Sequence, residues 1–242
     1  MQVYFSDLPK YSIVSTIGIL KTDSVDIEEG KKLALTICYS CHYNQQTETL
    51  AGRMHGNPKK MGNFYSGNIT QDKVFGIGNW TDDEIYYFLM TGVKPNADYV
   101  FDMPKYPNLT DEDMLSLIAF LRSNHKLVLP TAFENPKPEY SFLMKAALLY
   151  WLRPIDIDKI DLNKTAINKQ DQIGFGKYLA TAKYSCFDCH SKNAITNNYL
   201  YPETSLGYFS GGNPHVDETG ETIYAPSLLD IDKKYTMAEF VK

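Results

Sequence analysis

Cys38-Tyr39-Ser40-Cys41-His42 recurs later in the chain as Cys186-Phe187-Asp188-Cys189-His190, and the two pentapeptides use all four cysteines of the 242 residues. Cys-x-x-Cys-His is the pattern that attaches a c-type haem. Each thiol can add to one haem vinyl group, and the adjacent histidine then supplies one axial ligand to the iron. The sequence therefore predicts two covalent haems, the first on Cys38, Cys41 and His42 and the second on Cys186, Cys189 and His190.

The composition fits an ordinary globular protein with a mildly acidic surface. The net charge is −5, the pI is about 5.5, and 43% of the residues are hydrophobic. No block of lysine and arginine provides the electrostatic footprint of a nucleic-acid-binding protein. The longest apolar run, from Phe142 to Leu152, is interrupted by Lys145 and falls short of the roughly 20 residues that span a bilayer.

The surroundings of the two pentapeptides form an internal repeat. Residues 30–34 (GKKLA) correspond to 176–180 (GKYLA), and residues 64–70 correspond loosely to 223–229. The motif Thr81-x-x-Glu84 then corresponds to Thr236-x-x-Glu239, with the order of segments preserved. We interpret the two regions as copies of one module that differ in loop length.

The first copy is predicted to contain three helices. The first covers 26–37, and the second begins at the capping box of Thr81 and ends at Gly92. The third begins at Thr110. Its apolar residues recur at helical spacing, which predicts one buried stripe: Met114, Leu117, Ile118 and Leu121.

The second copy is predicted to begin with a helix over 171–183 and to end soon after the capping residue Thr236. We therefore expect domain 1 at 24–130, a linker with one helix (about 140–153) at 131–168, and domain 2 at 169–242. We expect domain 2 to be incomplete at its C-terminus, because the third helix and the methionine loop of the first copy have no counterpart. The N-terminus shows no signal peptide, and we expect it to be mature or truncated.

Two other uses of the cysteines are disfavoured. Two Cys-x-x-Cys pairs could share one zinc ion, but the pairs lie 148 residues apart in separate repeats and each is followed directly by histidine. A thioredoxin-like thiol pair would require a βαβ setting, which the sequence does not predict.

With these motifs, the chain resembles proteins with tandem class I cytochrome c domains, similar to the cytochrome subunits of membrane-bound alcohol and sugar dehydrogenases. The resemblance rests on the two pentapeptides, on Met103-Pro104 before the third helix, and on 68–81 (NITQDKVFGIGNWT). It implies an all-α fold, haem c as cofactor, and Met103 as second axial ligand of the first haem. It also implies that Gly30 lies where the first and last helices cross and that Trp80 lines the haem pocket.

Other residues compete for the role of axial ligand. For Met103 the alternative is a buried packing residue, and Met54, Met61 and Met90 are rival methionines. His55 and His125 are interpreted as solvent-facing or structural. His215 receives the same interpretation but stays a candidate for the second iron, whereas Met237 is a poor one. The sixth ligand of the second haem is left unassigned.

The resemblance predicts an electron relay rather than a catalytic subunit. Electrons would come from a dehydrogenase or a quinol and pass to an oxidase or a soluble cytochrome. An enzyme of the dihaem peroxidase type is the alternative, disfavoured because its first module would need a histidine-ligated haem. Covalent haem attachment implies a periplasmic or other extracytoplasmic location, and membrane association through a segment outside this chain stays open.

Overall fold

The computed structural model describes residues 6–13, 25–55, 61–162, 164, 167–216 and 221–240, and these are mostly helical with little sheet. The chain divides into two compact units, residues 1–168 and residues 169–242. Within the described ranges, no helix is both long enough and apolar enough to cross a membrane.

The helices of the first unit begin and end close to the predicted residues. Asp26 caps the first helix by accepting hydrogen bonds from the backbone of Glu28 and Glu29, and the Thr81 capping box is formed as predicted. Thr110 caps the helix that carries the apolar stripe, and all four residues of that stripe are buried. The helices are α1 (Ile27–Ile37), α2 (Tyr39–His42), α3 (Asp82–Thr91), α4 (Asp111–Leu121) and α5 (Phe142–Tyr150).

Helices α1 and α4 cross at Gly30. A Cβ atom at this glycine would lie 1.8 Å from the carbonyl oxygen of Ser116. The obstacle is backbone, so no rotamer change could relieve it, and the two helices would have to separate. The predicted role of Gly30 at a helix crossing is therefore confirmed.

Short strands add a feature that the all-α prediction omitted. The antiparallel strands β1 (Met54–His55), β2 (Gly62–Tyr65) and β3 (Glu139–Tyr140) form a small sheet in the order β1-β2-β3. Because Tyr140 belongs to β3, α5 starts two residues later than predicted, with Ser141 as its cap. Met144 and Leu148 of α5 then pack with Phe64 of β2, so part of the predicted linker joins the core of the first unit.

The second unit repeats the opening of the first. It contains α6 (Gln172–Tyr178), a π-helical segment (Leu179–Lys183) and α7 (Cys186–His190). Strands β4 (Pro214–Val216) and β5 (Thr222–Tyr224) pair antiparallel and are followed by α8 (Ile231–Lys234) and α9 (Met237–Phe240). Thr236 and Glu239 make the hydrogen bonds of the predicted capping box at the start of α9.

Candidate functional site

The first pentapeptide lies at the bottom of a crevice in the first unit. Helix α1 ends at Ile37, and Cys38, which caps α2, lines the crevice together with Cys41 and His42 of α2. Its apolar walls are Ile37, Ile69, Phe75, Ile77, Trp80, Phe88, Val100 and Tyr106. A crevice with two thiols, one imidazole and apolar walls fits a flat, largely apolar macrocycle such as haem.

The ring of His42 is fixed by a backbone carbonyl. Its Nδ1 lies 2.8 Å from the carbonyl oxygen of Gly67, and the residue is buried. A carbonyl oxygen can only accept, so Nδ1 carries the proton and Nε2 carries the lone pair. This is the tautomer that a metal-bound histidine needs, and a hydrogen bond of this kind also orients the ring.

Met103 lies in the wall of the same crevice, together with Pro104. The rival methionines lie elsewhere: Met90 is fully buried in α3, Met54 is 54% exposed, and Met61 packs against the α5 cluster. Among the methionine side chains that the structure describes, Met103 is the one that the crevice includes.

Trp80 also lines the crevice, as the resemblance implied. Its ring packs edge-on against Phe88 with centroids 5.5 Å apart. Arg122 holds this segment by donating to the carbonyl oxygens of Trp80 and Ile77, and it pairs with Asp82 at 3.0 Å. These contacts join the Trp80 wall of the crevice to the C-terminal end of α4.

Burial disfavours the thiolate form of two of the cysteine thiols. Desolvation by burial, followed by the charge effect of Cys41, raises the pKa of Cys38 to about 12. Desolvation also raises the pKa of Cys186. Thiol–disulfide chemistry depends on a thiolate formed near neutral pH, which these environments oppose.

The second pentapeptide forms α7 and is more open to solvent. Cys189 is exposed, and Cys186 and His190 are partly exposed, whereas Cys38 and His42 are buried. The Nδ1 atom of His190 nevertheless lies 2.8 Å from the carbonyl oxygen of Pro226. The same argument assigns the proton to Nδ1 and the lone pair to Nε2.

Four hydrogen bonds recur in both units: two join the histidine of the pentapeptide to the following loop, and two lie within that loop. Besides the two histidine bonds, a glycine N–H donates to the carbonyl oxygen of each histidine. Both glycines have a positive φ, which a side chain would strain. Each bond of the first unit has a counterpart in the second unit. These counterparts are His42–Gly67 and His190–Pro226, Gly52–His42 and Gly211–His190, Ser66–Arg53 and Ala225–Asn213, and Ile69–Leu50 and Leu228–Phe209.

These pairs agree with the sequence repeat, in which Gly67 corresponds to Pro226 and Ile69 corresponds to Leu228. The alignment of 64–70 with 223–229 could thus have identified the two carbonyl acceptors in advance, although they were not singled out. Lys94 was also missed. This lysine lines the first crevice and offers a cation to acidic groups of a ligand, but nothing in its sequence context distinguishes it.

Of the remaining candidate ligands, the structure describes His125 fully but only the backbone of His55, His215 and Met237. His125 caps a 3₁₀ turn, where its Nδ1 accepts from the N–H of Leu127, which confirms a structural role. The side chains of His55, His215 and Met237 lie outside the described part of the structure. The backbone of His55 pairs with Phe64 and that of His215 with Ile223, which are corresponding positions of the two copies.

Comparison with known proteins agrees with a haem-binding site in the first unit. The profile of the cytochrome c family matches residues 27–125. The chain is 29% identical to the fructose dehydrogenase cytochrome subunit of Gluconobacter japonicus, over 77% of this chain and 38% of that protein. It is 28% identical to the gluconate 2-dehydrogenase cytochrome c subunit of Pantoea cypripedii, over 79% of this chain and 44% of the relative.

A third relative is the cytochrome c subunit of the alcohol dehydrogenase (quinone) of Gluconobacter oxydans (strain 621H), 27% identical over 79% of this chain and 41% of that protein. The chain spans less than half the length of these relatives. A share of 77% of 242 residues exceeds the 168 residues of the first unit, so the similarity extends into the second.

Residues 27–125 are thus a cytochrome c domain, and the chain is related to cytochrome subunits of dehydrogenases. A domain of this kind binds haem c covalently and transfers electrons. The comparisons lend no support to the peroxidase interpretation.

Proposed function

We propose, starting from the cytochrome c domain at residues 27–125, that this chain carries two covalent haems and relays single electrons. The observation that carries the proposal is the imidazole–carbonyl hydrogen bond that follows both Cys-x-x-Cys pairs, 2.8 Å long in each unit. A histidine fixed in this way after two thiols is prepared for metal binding. The two units differ in how far they enclose the site, but the hydrogen bonds that hold the histidine recur.

At the first site we assign Cys38 and Cys41 to thioether bonds, His42 to one axial position and Met103 to the other. The haem, when bound, supplies an iron that exchanges one electron. Met103 offers a soft thioether sulfur, which favours Fe(II) and raises the reduction potential relative to a second histidine. Pro104 restricts the backbone beside this ligand. The apolar walls exclude water, which lowers the reorganisation that accompanies a change of charge.

At the second site we assign Cys186 and Cys189 to thioether bonds and His190 to an axial position. The open surroundings of this pentapeptide leave its haem more accessible to solvent and to other proteins. The equivalent hydrogen bonds around His190 support the assignment, because they would orient the imidazole without the walls that the first site has.

The names of the relatives suggest the partners. Three are cytochrome subunits of a fructose, a gluconate and an alcohol dehydrogenase. We therefore propose that a dehydrogenase or a quinol delivers electrons to this chain and that an oxidase or a soluble cytochrome removes them. Because c-type haem attachment takes place outside the cytoplasm, we propose a periplasmic or extracytoplasmic location.

The proposal is tested by counting haems. The chain would be produced in a host that matures c-type cytochromes, and covalent haem per chain would be measured by pyridine haemochrome. We expect two haems in the wild type and one in each paired variant, Cys38→Ser/Cys41→Ser and Cys186→Ser/Cys189→Ser. A wild type with one haem, lost only in the first paired variant, would contradict the assignment of the second site.

A further inference from the structure

A second cavity lies in the first unit, next to the crevice that contains His42. Its volume of about 430 Å³ is within the range of small-molecule binding sites. The cavity and the crevice share four lining residues: Tyr65, Lys94, Val100 and Asp102. Two of these residues belong to the segment 100–104, which carries Met103 and is called the Met103 loop below. The Met103 loop therefore contributes to the walls of both spaces.

Aromatic rings form much of the wall of the second cavity. The rings of Tyr11 and Tyr99 meet edge to face with centroids 5.9 Å apart, and those of Phe64 and Tyr140 form a tilted pair at 5.6 Å. Leu148 of α5 adds an aliphatic side chain to the same wall. Aromatic side chains pack favourably against a further ring in edge-on or offset geometry. The wall thus favours a flat, unsaturated ring over a purely polar ligand.

Two tyrosines of this wall offer protonated hydroxyls. Desolvation by burial, followed by the charges of Asp102 and Asp98, raises the pKa of Tyr140 to about 12. Burial, followed by the charge effects of Tyr11 and Asp102, also raises the pKa of Tyr99. Within the described ranges, neither of these two hydroxyls donates to a protein group. Both are therefore available to donate to an oxygen atom of a ligand.

The charged side chains at the cavity favour a ligand with one negative charge. Asp98 is paired with Lys10 at 2.7 Å. Lys94 and Lys137 also line the cavity, and neither forms an ion pair with another described residue. Asp102 is the second acidic residue of the lining. Even with Asp102 counted at full charge, the three lysines exceed the two acids by one.

Two neighbouring features leave this excess of positive charge in place. Lys137 is exposed and lines the second cavity but not the crevice, so its charge does not depend on what occupies the crevice. The carboxylate of Glu139, next to Tyr140 in the chain, is exposed and accepts from the amide of Asn63, and neither residue belongs to the lining. Hydrogen bonds between an ammonium group and a carboxylate are charge-assisted and stronger than neutral ones.

We propose that the second cavity binds a small aromatic carboxylate, with its ring among the tyrosines and its charge balanced by Lys94 and Lys137, and that this acid braces the Met103 loop. Because the loop contributes to both spaces, a molecule packed against it in the cavity restricts its movement toward or away from the crevice. Displacement of Met103 from an iron requires such a movement, so the bound acid opposes it. The effect on Met103 rests on the proposed function, whereas binding in the cavity does not.

Binding is tested by isothermal titration calorimetry of the haem-loaded full chain with benzoate and with benzamide, which has the same size and no charge. We expect a dissociation constant on the order of 0.1 mM for benzoate, a realistic value for a ligand of about nine heavy atoms. Benzamide should bind about tenfold more weakly, and acetate, which lacks the ring, should give no heat in this range. The proposal is overturned if benzoate gives no heat or binds no better than benzamide.

Variants of the lining locate the bound acid. Lys94→Gln should weaken benzoate binding about tenfold and Tyr140→Phe about fivefold, since they remove a charged and a neutral donor. Tyr140→Phe breaks no hydrogen bond within the described ranges, so it remains informative if Lys94→Gln disturbs the crevice. Lys126→Gln and Tyr150→Phe are matched controls at exposed residues outside the lining and should leave the affinity unchanged. Equal affinities in the lining variants and their controls would place benzoate elsewhere and overturn the site.

The bracing of the Met103 loop is tested by Soret titration with imidazole, with and without saturating benzoate. Benzoate should lower the imidazole affinity of the wild type about fivefold, and imidazole should lower the affinity for benzoate by the same factor. Met103→Ala should abolish this coupling. Unchanged imidazole affinity with benzoate bound would overturn the bracing. If Met103→Ala and the wild type bind imidazole alike, the assignment of Met103 in the proposed function fails instead, while the calorimetry still decides whether the cavity binds the acid.

Discussion

The two units hold their histidines alike but enclose them differently. His42 and His190 both donate from Nδ1 to a carbonyl oxygen, through loops with matching hydrogen bonds. Around His42 the described residues add Phe88 of α3, the segment that ends at Trp80 and the Met103 loop, which together line a crevice. The difference shows that orientation of the ligand is a local property of the pentapeptide and its loop, whereas enclosure depends on contacts with distant segments.

The glycines at the start of each copy show this contrast most directly. Gly30 lies against the backbone of α4, while the described residues place nothing within 4 Å of a Cβ atom at Gly176. Gly176 is also exposed on α6. The same residue in the same sequence context therefore has a packing role in the first unit and open surroundings in the second.

The largest expected effect follows from this contrast. Gly30→Ala should lower the free energy of unfolding by about 3 kcal/mol, the upper part of the range for overpacked sites, because backbone atoms 1.8 Å away cannot yield. Gly176→Ala is the matched variant, and it should stabilise α6 by roughly 0.5–1 kcal/mol through helix propensity. Calorimetry of the full haem-loaded chain would measure both. Equal losses from the two substitutions would mean that the two helix faces are packed alike.

A second prediction concerns ligand access in the enclosed unit. Met103→Ala should leave the haem attached, because the thioether bonds are covalent, while opening the iron to imidazole or CO. We expect imidazole affinity to rise about a hundredfold, or about 2.8 kcal/mol. Soret titration measures the affinity, and pyridine haemochrome checks that the haem content is unchanged.

Met54→Ala provides the control for this measurement, because Met54 is exposed and lies outside the crevice. If Met103→Ala binds imidazole and CO as the wild type does, Met103 is not the axial ligand. A methionine ligand in the first unit would then no longer be part of the difference between the two units.

The sequence predicted the parts of the fold that depend on neighbouring residues. Capping residues such as Thr81 and Thr110 were correct because a cap involves only the next three residues. The strands were missed because segments of two to four residues carry no periodic signal, and Tyr140 was assigned to a helix although it pairs with Gly62 across the chain. The crevice partners of His42 likewise depend on folding, so Lys94 could not be found from its local context.

The smallest expected effect tests whether the corresponding loops of the two units contribute equally to the free energy of unfolding. Ser66 Oγ donates to the carbonyl oxygen of Cys41 at 2.5 Å and accepts from the N–H of Arg53 at 3.0 Å, while Ala225 occupies the corresponding place in the second unit. Ser66→Ala should cost about 1–2 kcal/mol of unfolding free energy, because it leaves partly buried backbone groups without this partner. Ala225→Ser and the exposed Ser40→Ala should each change stability by less than about 0.5 kcal/mol in urea titrations. A gain from Ala225→Ser as large as the loss from Ser66→Ala would show instead that the second loop lacks only this hydroxyl, and the difference between the units would then lie entirely in their enclosing helices.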